Sequence, residues 1–309
     1  MSQIVITEFM DEAAVREHLT GLDVVFDPQL VDRPERLRSL LGDCRALIVR
    51  NRTQVRGALL ESAPLLRVVG RLGVGLDNID VAACAARNIR VCPATGANDL
   101  AVAEYVICAA MLLLRRAWFA TAAVAEGKWP RMELIGLELA GKRLGLVGFG
   151  AIARLTARKA LALGMRVAAY DPFVEPSSEA WRGIERLELA PLLSTSDVVS
   201  LHTPLTAQTR RLIDASAIAQ MRPGSILINA ARGGVLDESA LIDALRARRL
   251  GGAALDVFES EPLTCAAGSA WQDLPNILLT PHIAGVTEES NVRVSQVVAR
   301  SVREALGDG

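Results

Sequence analysis

Short apolar runs recur along the chain and alternate with amphipathic stretches. In the first hundred residues, the apolar runs predict five β-strands, and stretches such as Asp11–Leu19 and Pro34–Leu41 predict helices between them. The predicted strands are Ile4–Thr7, Val24–Asp27, Ala46–Arg50, Val68–Gly70 and Arg90–Cys92. Strands that alternate with helices in this way are typical of β-α units on a parallel sheet.

A second series of apolar runs begins at residue 143 and has the same alternation. Its predicted strands are Arg143–Val147, Arg166–Tyr170, Val198–Leu201, Ser225–Asn229, Gly252–Asp256 and Ile277–Thr280. A last helical segment, Ser290–Leu306, follows them. Because single cores stop growing near roughly 250–300 residues, the 309 residues predict two doubly wound α/β domains. We expect the last helix to return to the first domain.

Composition narrows the class of protein. The 34 Lys+Arg nearly balance the 35 Asp+Glu, so neither nucleic acid nor a membrane surface is expected as a partner. The longest apolar run, Ala101–Leu114, contains Glu104 and is shorter than the roughly 20 residues that cross a bilayer. The five scattered cysteines form no C-x-x-C pair, which favours buried thiols in a reducing cytoplasm. The first residues lack the basic region of a secretory signal.

A glycine motif lies between the strand Arg143–Val147 and the helix predicted after it. Gly148 permits a tight turn, Gly150 lets the main chain approach a pyrophosphate, and the small Ala153 lets helix pack on strand. The N-terminus of that helix presents N–H groups and a partial positive charge to phosphates. Alone the motif is weak, because glycine turns also serve plain packing in α/β proteins.

An acidic residue strengthens the interpretation of this motif as a nucleotide site. Asp171 ends the next strand, about twenty residues after the last glycine, where a carboxylate accepts hydrogen bonds from both ribose hydroxyls. No Arg or Lys follows it to hold a 2′-phosphate. NAD is therefore predicted over NADP, although Asp171 alone is also compatible with a turn residue ahead of Pro172.

Seven motifs in a fixed order carry a resemblance to a known family. They are GRLGVGLDNID (70–80), GANDLAVAEYVI (96–107), LVGFGAIAR (146–154), LHTPLTAQT (201–209), NAARGGVLDESAL (229–241), ALDVFESEPL (254–263) and TPHIAG (280–285). Together they resemble the D-isomer-specific 2-hydroxyacid dehydrogenases, most of all the 3-phosphoglycerate dehydrogenases. The resemblance implies a Rossmann-like NAD-binding domain, 99–282, inserted into a flavodoxin-like substrate domain, 1–98 completed by 283–309. The regulatory domain of longer members is not expected.

The resemblance assigns catalytic roles to three residues. His282 matches the family's general acid/base, Glu261 its hydrogen-bonding partner that stabilises the imidazolium, and Arg232 the guanidinium that holds carboxylate and carbonyl oxygen together. A planar guanidinium suits two acceptors at once. Taken singly, each has a structural alternative: a surface histidine at a strand end, a loop acid before Pro262, and an exposed arginine in a turn.

Further positions match the family's ligand contacts. The cofactor positions are Val74, Gly148, Gly150, Ala151, Ile152, Asp171, Thr203, Pro204, Ala230, Arg232, Asp256, His282, Ala284 and Gly285. The substrate positions are Arg50, Gly73, Val74, Gly75, Asn98 and Arg232. Arg50 matches a position facing the distal group of phosphoglycerate, while a role for Arg52 or Arg131 stays open. No metal site is predicted.

The sequence therefore predicts an NAD-dependent dehydrogenase of a small 2-hydroxy acid that bears a second anionic group, of the 3-phosphoglycerate or 3-sulfolactate type. A hydroxypyruvate or glyoxylate reductase is the uncharged alternative. An NAD(H)-sensing, corepressor-like binding protein is the alternative outside the enzymes. The family resemblance also implies a homodimer formed through the cofactor domains. The segment Ala101–Leu114 is then a candidate interface, with a core helix as its alternative.

Overall fold

A computed structural model describes residues 3–117 and 120–307. Residues 1–2, 118–119 and 308–309, which the predicted domain ranges include, lie outside the described residues. The chain divides into two compact units. The first unit comprises residues up to Asn98 together with those from Val286, and the second comprises Asp99–Gly285.

The first unit contains a five-stranded parallel sheet. Its strands are β1 (Gln3–Ile6), β2 (Asp23–Phe26), β3 (Cys44–Val49), β4 (Val68–Arg71) and β5 (Arg90–Pro93), and its first helices are α1 (Glu12–His18), α2 (Pro34–Leu41), α3 (Ala58–Glu61) and α4 (Val81–Ala86). The strand order is β2-β1-β3-β4-β5, with every pair parallel. This order is that of the flavodoxin-like fold, whose ligands bind where the order reverses, between the first and third strands. The predicted fold of this unit is confirmed.

The second unit contains a seven-stranded parallel sheet. Its strands are β6 (Arg143–Val147), β7 (Arg166–Tyr170), β8 (Glu185–Arg186), β9 (Val198–Leu201), β10 (Ile226–Asn229), β11 (Gly252–Leu255) and β12 (Ile277–Leu279). Their order is β12-β11-β10-β9-β6-β7-β8, which is the Rossmann order with one added strand. The two-residue strand β8 is absent from the sequence prediction because both of its side chains are exposed and it forms no apolar run.

The helices of the second unit flank this sheet. They are α5 (Asp99–Arg115), α6 (Ala120–Ala125), α7 (Ala151–Ala162), α8 (Leu189–Thr195), α9 (Ala215–Gln220), α10 (Glu238–Arg246) and α11 (Cys265–Gly268). Side chains of α5 such as Val106, Ile107 and Leu113 are buried in the core, where α5 packs on α7 and β10. One face of the helix therefore belongs to the core, while its Leu100 and Met111 are exposed. Its role in a dimer interface stays a prediction.

The last helix, α12 (Glu288–Leu306), belongs to the first unit. Its buried face includes Val298 and Val302, which pack on β4. A Cβ atom added to Gly70 in β4 would lie 2.7 Å from Val298 and 2.8 Å from Val302. Only glycine leaves room for a helix to approach the strand so closely.

Composition also predicted that no helix crosses a membrane and that the cysteine thiols are buried. Within the described residues, no helix is both long and apolar enough to cross a membrane. All five cysteines are free thiols, but only Cys44, Cys84 and Cys92 are buried. The expectation that every thiol is buried is wrong for Cys108 and Cys265, which are exposed.

Candidate active site

His282 lies in the turn that follows β12, at the carboxyl end of the second sheet. Its backbone N–H donates to the carbonyl oxygen of Asp256 at 2.8 Å, and its φ is +58°. This left-handed conformation is uncommon for a residue with a side chain and persists only where surrounding contacts impose it. The turn around His282 is therefore held by specific partners.

The carboxylate of Asp256 supplies those contacts from the end of β11. Only 1% of Asp256 is exposed, and its Oδ1 accepts hydrogen bonds from Thr280 Oγ1 at 2.6 Å and Ile283 N at 2.8 Å. Its Oδ2 accepts one from Ala284 N at 2.7 Å. Burial raises the pKa of Asp256 above its ordinary value, although these hydrogen bonds oppose that shift. The predicted contact of Asp256 with the cofactor stays a prediction, since its described partners all belong to the His282 turn.

His282 and Glu261 form the predicted pair. Nδ1 of His282 lies 2.7 Å from Oε2 of Glu261, with 41% and 33% of the two side chains exposed. Oε1 of Glu261 accepts a hydrogen bond from Phe258 N at 3.0 Å. Burial raises the pKa of Glu261, but the hydrogen bonds from His282 and Phe258 and the nearby positive charges outweigh it, so the pKa lies below its ordinary value. Because Glu261 occupies Nδ1, Nε2 is the ring atom that remains for a substrate.

Arg232 lies in the turn after β10, near the same pair. The side chain of the buried Asn229 spans this turn: Nδ2 donates to Arg232 O at 2.9 Å, and Oδ1 accepts from Ala231 N at 3.1 Å. The residue after Arg232, Gly233, lies against the backbone of Phe258 and Glu259, which lead to Glu261, and the positive charge of Arg232 is among the causes that lower the pKa of Glu261. The structure thus brings Arg232, Glu261 and His282 together.

Gly233 explains how the turn of Arg232 meets the segment that leads to Glu261. A Cβ atom at Gly233 would overlap the backbone of Phe258 and Glu259. The two segments can pack at this distance only because residue 233 is glycine. The sequence motif pointed to Arg232, but the contribution of Gly233 and Asn229 becomes visible only in the structure.

The glycine turn after β6 has the shape that a dinucleotide requires. Gly148 has φ +91°, and a Cβ atom there would lie 2.7 Å from the carbonyl oxygen of His202. At Gly150, a Cβ atom would meet nothing within 4 Å, so the main chain borders open space. The helix α7 begins at the next residue, which directs the N–H groups of Ala151 and Ile152 toward that space.

Asp171 is fixed next to this turn at the end of β7. Its Oδ2 accepts a hydrogen bond from Phe149 N at 2.8 Å, and its Oδ1 accepts one from Phe173 N at 2.9 Å. Each carboxylate oxygen has a second lone pair that can accept a ribose hydroxyl. Thr203 Oγ1 is buried without a hydrogen-bond partner in the described chain, as expected for a group that a ligand completes. These residues fit NAD.

His202 lies beneath the turn and does not resemble an acid/base residue. Its ring Nε2 is 2.9 Å from Ser200 Oγ, and burial lowers its pKa to about 4. The ring is therefore neutral at physiological pH. Its backbone N–H donates to Val147 O at 2.7 Å, so His202 supports the strand end that carries the glycine turn.

In the first unit, Arg50 lies directly after β3. Its N–H donates to Glu8 Oε1 at 2.9 Å, and its Nη2 donates to Asn291 Oδ1 at 2.8 Å. Burial lowers the pKa of the Arg50 guanidinium. Glu8, itself buried, also accepts hydrogen bonds from the N–H groups of Arg52 and Thr53. One carboxylate thus orders the whole turn that carries Arg50.

Arg52 behaves differently from Arg50. Its guanidinium forms an exposed ion pair with Asp32, so much of its charge is already neutralised. Arg131, the other arginine left open by the sequence, is exposed within the second unit.

The remaining predicted substrate positions cluster at the ends of β4 and β5. Gly73 has φ +152°, and the guanidinium of Arg71 lies against it while donating to Leu72 O at 2.7 Å. Val74 is exposed, and Asn98 Oδ1 is buried without a hydrogen-bond partner among the described residues. An orphaned acceptor of this kind is compatible with a ligand contact.

Comparisons with known proteins agree with this geometry. The family model for the NAD-binding domain of D-isomer-specific 2-hydroxyacid dehydrogenases matches residues 107–284. The chain belongs to the D-isomer-specific 2-hydroxyacid dehydrogenases. The predicted family, enzyme class and cofactor are confirmed: the chain is an NAD-dependent oxidoreductase of this family.

Individual dehydrogenases of the family resemble this one over long stretches. The present chain is 56% identical over 308 residues to (S)-sulfolactate dehydrogenase of Chromohalobacter salexigens, and the alignment covers 99% of both chains. The present chain is 42% identical over 278 residues to D-3-phosphoglycerate dehydrogenase of Mycobacterium bovis. This alignment covers 89% of the present chain but only 52% of the relative. The chain therefore spans about half the length of that relative.

A solved structure of the family supports the same conclusion. D-Lactate dehydrogenase of Aquifex aeolicus, complexed with NAD and lactic acid, superimposes with a TM-score of 0.84 at 26% identity. The superposition covers 99% of this chain and 96% of that one. The dehydrogenase fold is thus shared over essentially the whole chain.

The pairing of Glu261 with His282 yields a prediction for this dehydrogenase. We expect Glu261→Gln to lower kcat for keto-acid reduction about a hundredfold, the lower end of what a positioned proton donor contributes. The loss is expected because Nδ1 of the ring no longer has an anionic partner. Steady-state kcat measures this. Glu259→Gln, in the same loop, is the control, and a wild-type kcat in Glu261→Gln would contradict the assigned role.

The carboxylate of Asp171 yields a second prediction, on cofactor choice. Asp171→Asn removes the charge that repels a 2′-phosphate, so the preference for NADH over NADPH should fall by roughly tenfold or more, as expected for one charge at short range. The ratio of kcat/KM for the two cofactors measures this. Asp214→Asn, which caps α9 as well as aspartate does, should leave the ratio unchanged. An unchanged ratio in Asp171→Asn would remove this residue from the ribose site.

Proposed function

We propose that this dehydrogenase interconverts a three-carbon 2-hydroxy acid bearing a second, singly charged anionic group, of the 3-sulfolactate type, with its 2-keto acid. The observation that carries the proposal is the 2.7 Å pair of His282 and Glu261 beside Arg232. This arrangement offers a proton donor, the carboxylate that keeps it charged, and a cation for the substrate's acid group.

The roles of the three residues follow from their chemistry. Bound NADH supplies a hydride to the carbonyl carbon of the keto acid. His282 Nε2 gives its proton to the carbonyl oxygen, and Glu261 stabilises the imidazolium until that transfer. The guanidinium of Arg232 binds the substrate carboxylate and polarises the carbonyl oxygen. In the oxidative direction, neutral His282 takes the hydroxyl proton back.

The two arginines after β3 indicate the nature of the distal group. Arg50 is partly buried and oriented by Asn291, whereas Arg52 is paired with Asp32. A single available guanidinium suits a monoanionic sulfonate better than a phosphate, which carries close to two charges at neutral pH. The similarity to (S)-sulfolactate dehydrogenase over nearly the whole of both chains favours the same choice. We assign the carboxylate end of the substrate to Arg232 in the second unit; Gly73, Val74, Gly75 and Asn98 in the first unit stay substrate positions that the family resemblance implies.

We also propose a homodimer in the cytoplasm. The second unit exposes Trp129, Met132 and Ile135 by 79%, 75% and 61% within a few residues of each other in sequence. Monomers rarely leave such apolar clusters in water. A second copy of the chain is the occupant that the family resemblance implies. The exposed free thiols of Cys108 and Cys265 favour a reducing compartment.

Initial rates of NADH oxidation test the proposed reaction. We expect sulfopyruvate to exceed phosphohydroxypyruvate, hydroxypyruvate and glyoxylate in kcat/KM by about tenfold or more. A site built for one negative charge rejects the two analogues that lack it and suits the higher charge of a phosphate less well. His282→Ala should lower kcat for each active substrate by at least about a hundredfold. If no keto acid is reduced while NADH binds, a nucleotide-sensing protein replaces the proposal.

The same assay tests the role of Arg50. Arg50→Ala should raise KM for sulfopyruvate roughly tenfold or more, because it removes a hydrogen bond to a charged group, and should leave hydroxypyruvate unaffected. Arg52→Ala is the matched control, since its charge is already paired. An equal loss for both substrates in Arg50→Ala would reject the assignment of the distal group.

Light scattering during size-exclusion chromatography tests the dimer. The wild type should have twice the 33.0 kDa mass of one chain, and Trp129→Glu should shift it toward the monomer because a buried charge without a partner opposes association. Phe173→Glu is the control, because Phe173 is equally exposed in the second unit but lies outside this cluster. A monomeric wild type would contradict the proposal.

A further inference from the structure

A chain of hydrogen bonds leads from the core helix α5 to the turn of His282. The hydroxyl of Tyr105 in α5 lies 2.6 Å from Thr280 Oγ1, and Thr280 Oγ1 lies 2.6 Å from Asp256 Oδ1. All three residues belong to the second unit. Neither Tyr105 nor Thr280 is among the site residues that the sequence predicts.

The direction of these hydrogen bonds follows from the available protons. Both oxygens of Asp256 accept backbone N–H groups, so the carboxylate is an acceptor only, and Thr280 must donate its single hydroxyl proton to it. Thr280 Oγ1 can then only accept from Tyr105. Burial raises the pKa of Tyr105 to about 12, so its hydroxyl keeps the proton that this chain requires.

The chain of hydrogen bonds ends on Asp256, the residue that determines where the imidazole of His282 lies. Asp256 accepts from Ile283 N and Ala284 N, the two residues that follow His282, and its carbonyl oxygen accepts from His282 N. A carboxylate can rotate about one bond. Thr280 fixes that rotation at Oδ1, and Tyr105 fixes the rotamer of Thr280.

The helix α5, in which this chain of hydrogen bonds begins, is rigid. Tyr105 is surrounded in α5 by buried residues such as Val106 and Ala109, and α5 packs closely on α7. Through its hydrogen bond, a hydroxyl carried by such a helix can hold a turn with an unfavourable φ in one position.

We propose that Tyr105 and Thr280 are positioning residues that act through Asp256 to hold His282 in its catalytic orientation. Neither touches the reacting atoms. Their role rests on the proposed function of His282 as proton donor, and it deepens that function by linking the donor to the core of its own unit.

Steady-state kinetics of Tyr105→Phe, Thr280→Val and the double variant test the proposal. Tyr105→Phe should lower kcat for keto-acid reduction roughly threefold to tenfold, the loss of one hydrogen bond in a linked chain. KM for NADH should stay within about twofold, because the glycine turn and Asp171 are unchanged. Thr280→Val should lower kcat further, and Thr280→Ser, which keeps the hydroxyl, should restore it.

The double variant distinguishes a relay from two separate effects. If Tyr105 acts only through Thr280, then Tyr105→Phe should cause no further loss of kcat in the Thr280→Val background. Losses that multiply, or a Tyr105→Phe enzyme with wild-type kcat, would overturn the proposal. A loss that follows general destabilisation would raise KM for NADH as well and would not be restored by Thr280→Ser.

Hydrogen exchange supplies a readout that does not depend on turnover. The amides of Ile283 and Ala284 should exchange about threefold to tenfold faster in Tyr105→Phe and in Thr280→Val than in wild type, and at the wild-type rate in Thr280→Ser. The amide of Phe149, which is bonded to Asp171, is the internal control. If the wild type reduces no keto acid, the proposed function fails, while unchanged exchange at Ile283 and Ala284 would overturn the relay by itself.

Discussion

The candidate site of the second unit depends on one buried carboxylate. Asp256 lies at the end of β11, is 1% exposed, and gathers donors from Thr280, Ile283 and Ala284. A buried charge is costly unless its hydrogen bonds are satisfied, and here every described partner comes from one turn. The folding of that turn and the burial of the charge therefore require each other. His282, with its left-handed backbone, is placed as a consequence.

The same arrangement recurs at other strand ends of this dehydrogenase. Glu8 after β1 orders the turn of Arg50, Asp171 after β7 orders the glycine turn, and Asn229 in β10 orders the turn of Arg232. Turns that carry functional groups contain backbone N–H groups that secondary structure does not satisfy. A short acidic or amide side chain at the strand end satisfies them and fixes the turn. Within each sheet, the parallel arrangement places the carboxyl ends of the strands at the same edge.

The sequence predicted both sheets well because most of their central strands are buried on both faces. Such strands appear as apolar runs, and every predicted strand is present within a few residues. The exposed edge strand β8 lacks that pattern. Residue roles set by local motifs, at Gly148, Gly150 and the pair of Glu261 and His282, were also within reach of the sequence. Their geometry agrees with the predicted roles, which remain to be tested by substitution.

Other parts of the site depend on contacts that no local pattern contains. Tyr105 and Thr280 are 175 positions apart, and Arg52 is paired with Asp32 across 20. The sequence therefore assigned Arg50 by resemblance and left the role of Arg52 open.

The strained backbone of His282 shows why a catalytic turn needs support from the core. A left-handed φ in a residue with a side chain costs on the order of 1–3 kcal/mol, comparable to the contribution of one or two hydrogen bonds. The Asp256 carboxylate provides three, and the backbone of the same residue provides a fourth. The free energy that these four hydrogen bonds contribute thus exceeds the cost of the strained φ by a moderate margin. Removing a single hydrogen bond brings the two free energies close to balance. In such a turn, the loss of a remote hydroxyl changes the orientation of the imidazole well before it unfolds the protein.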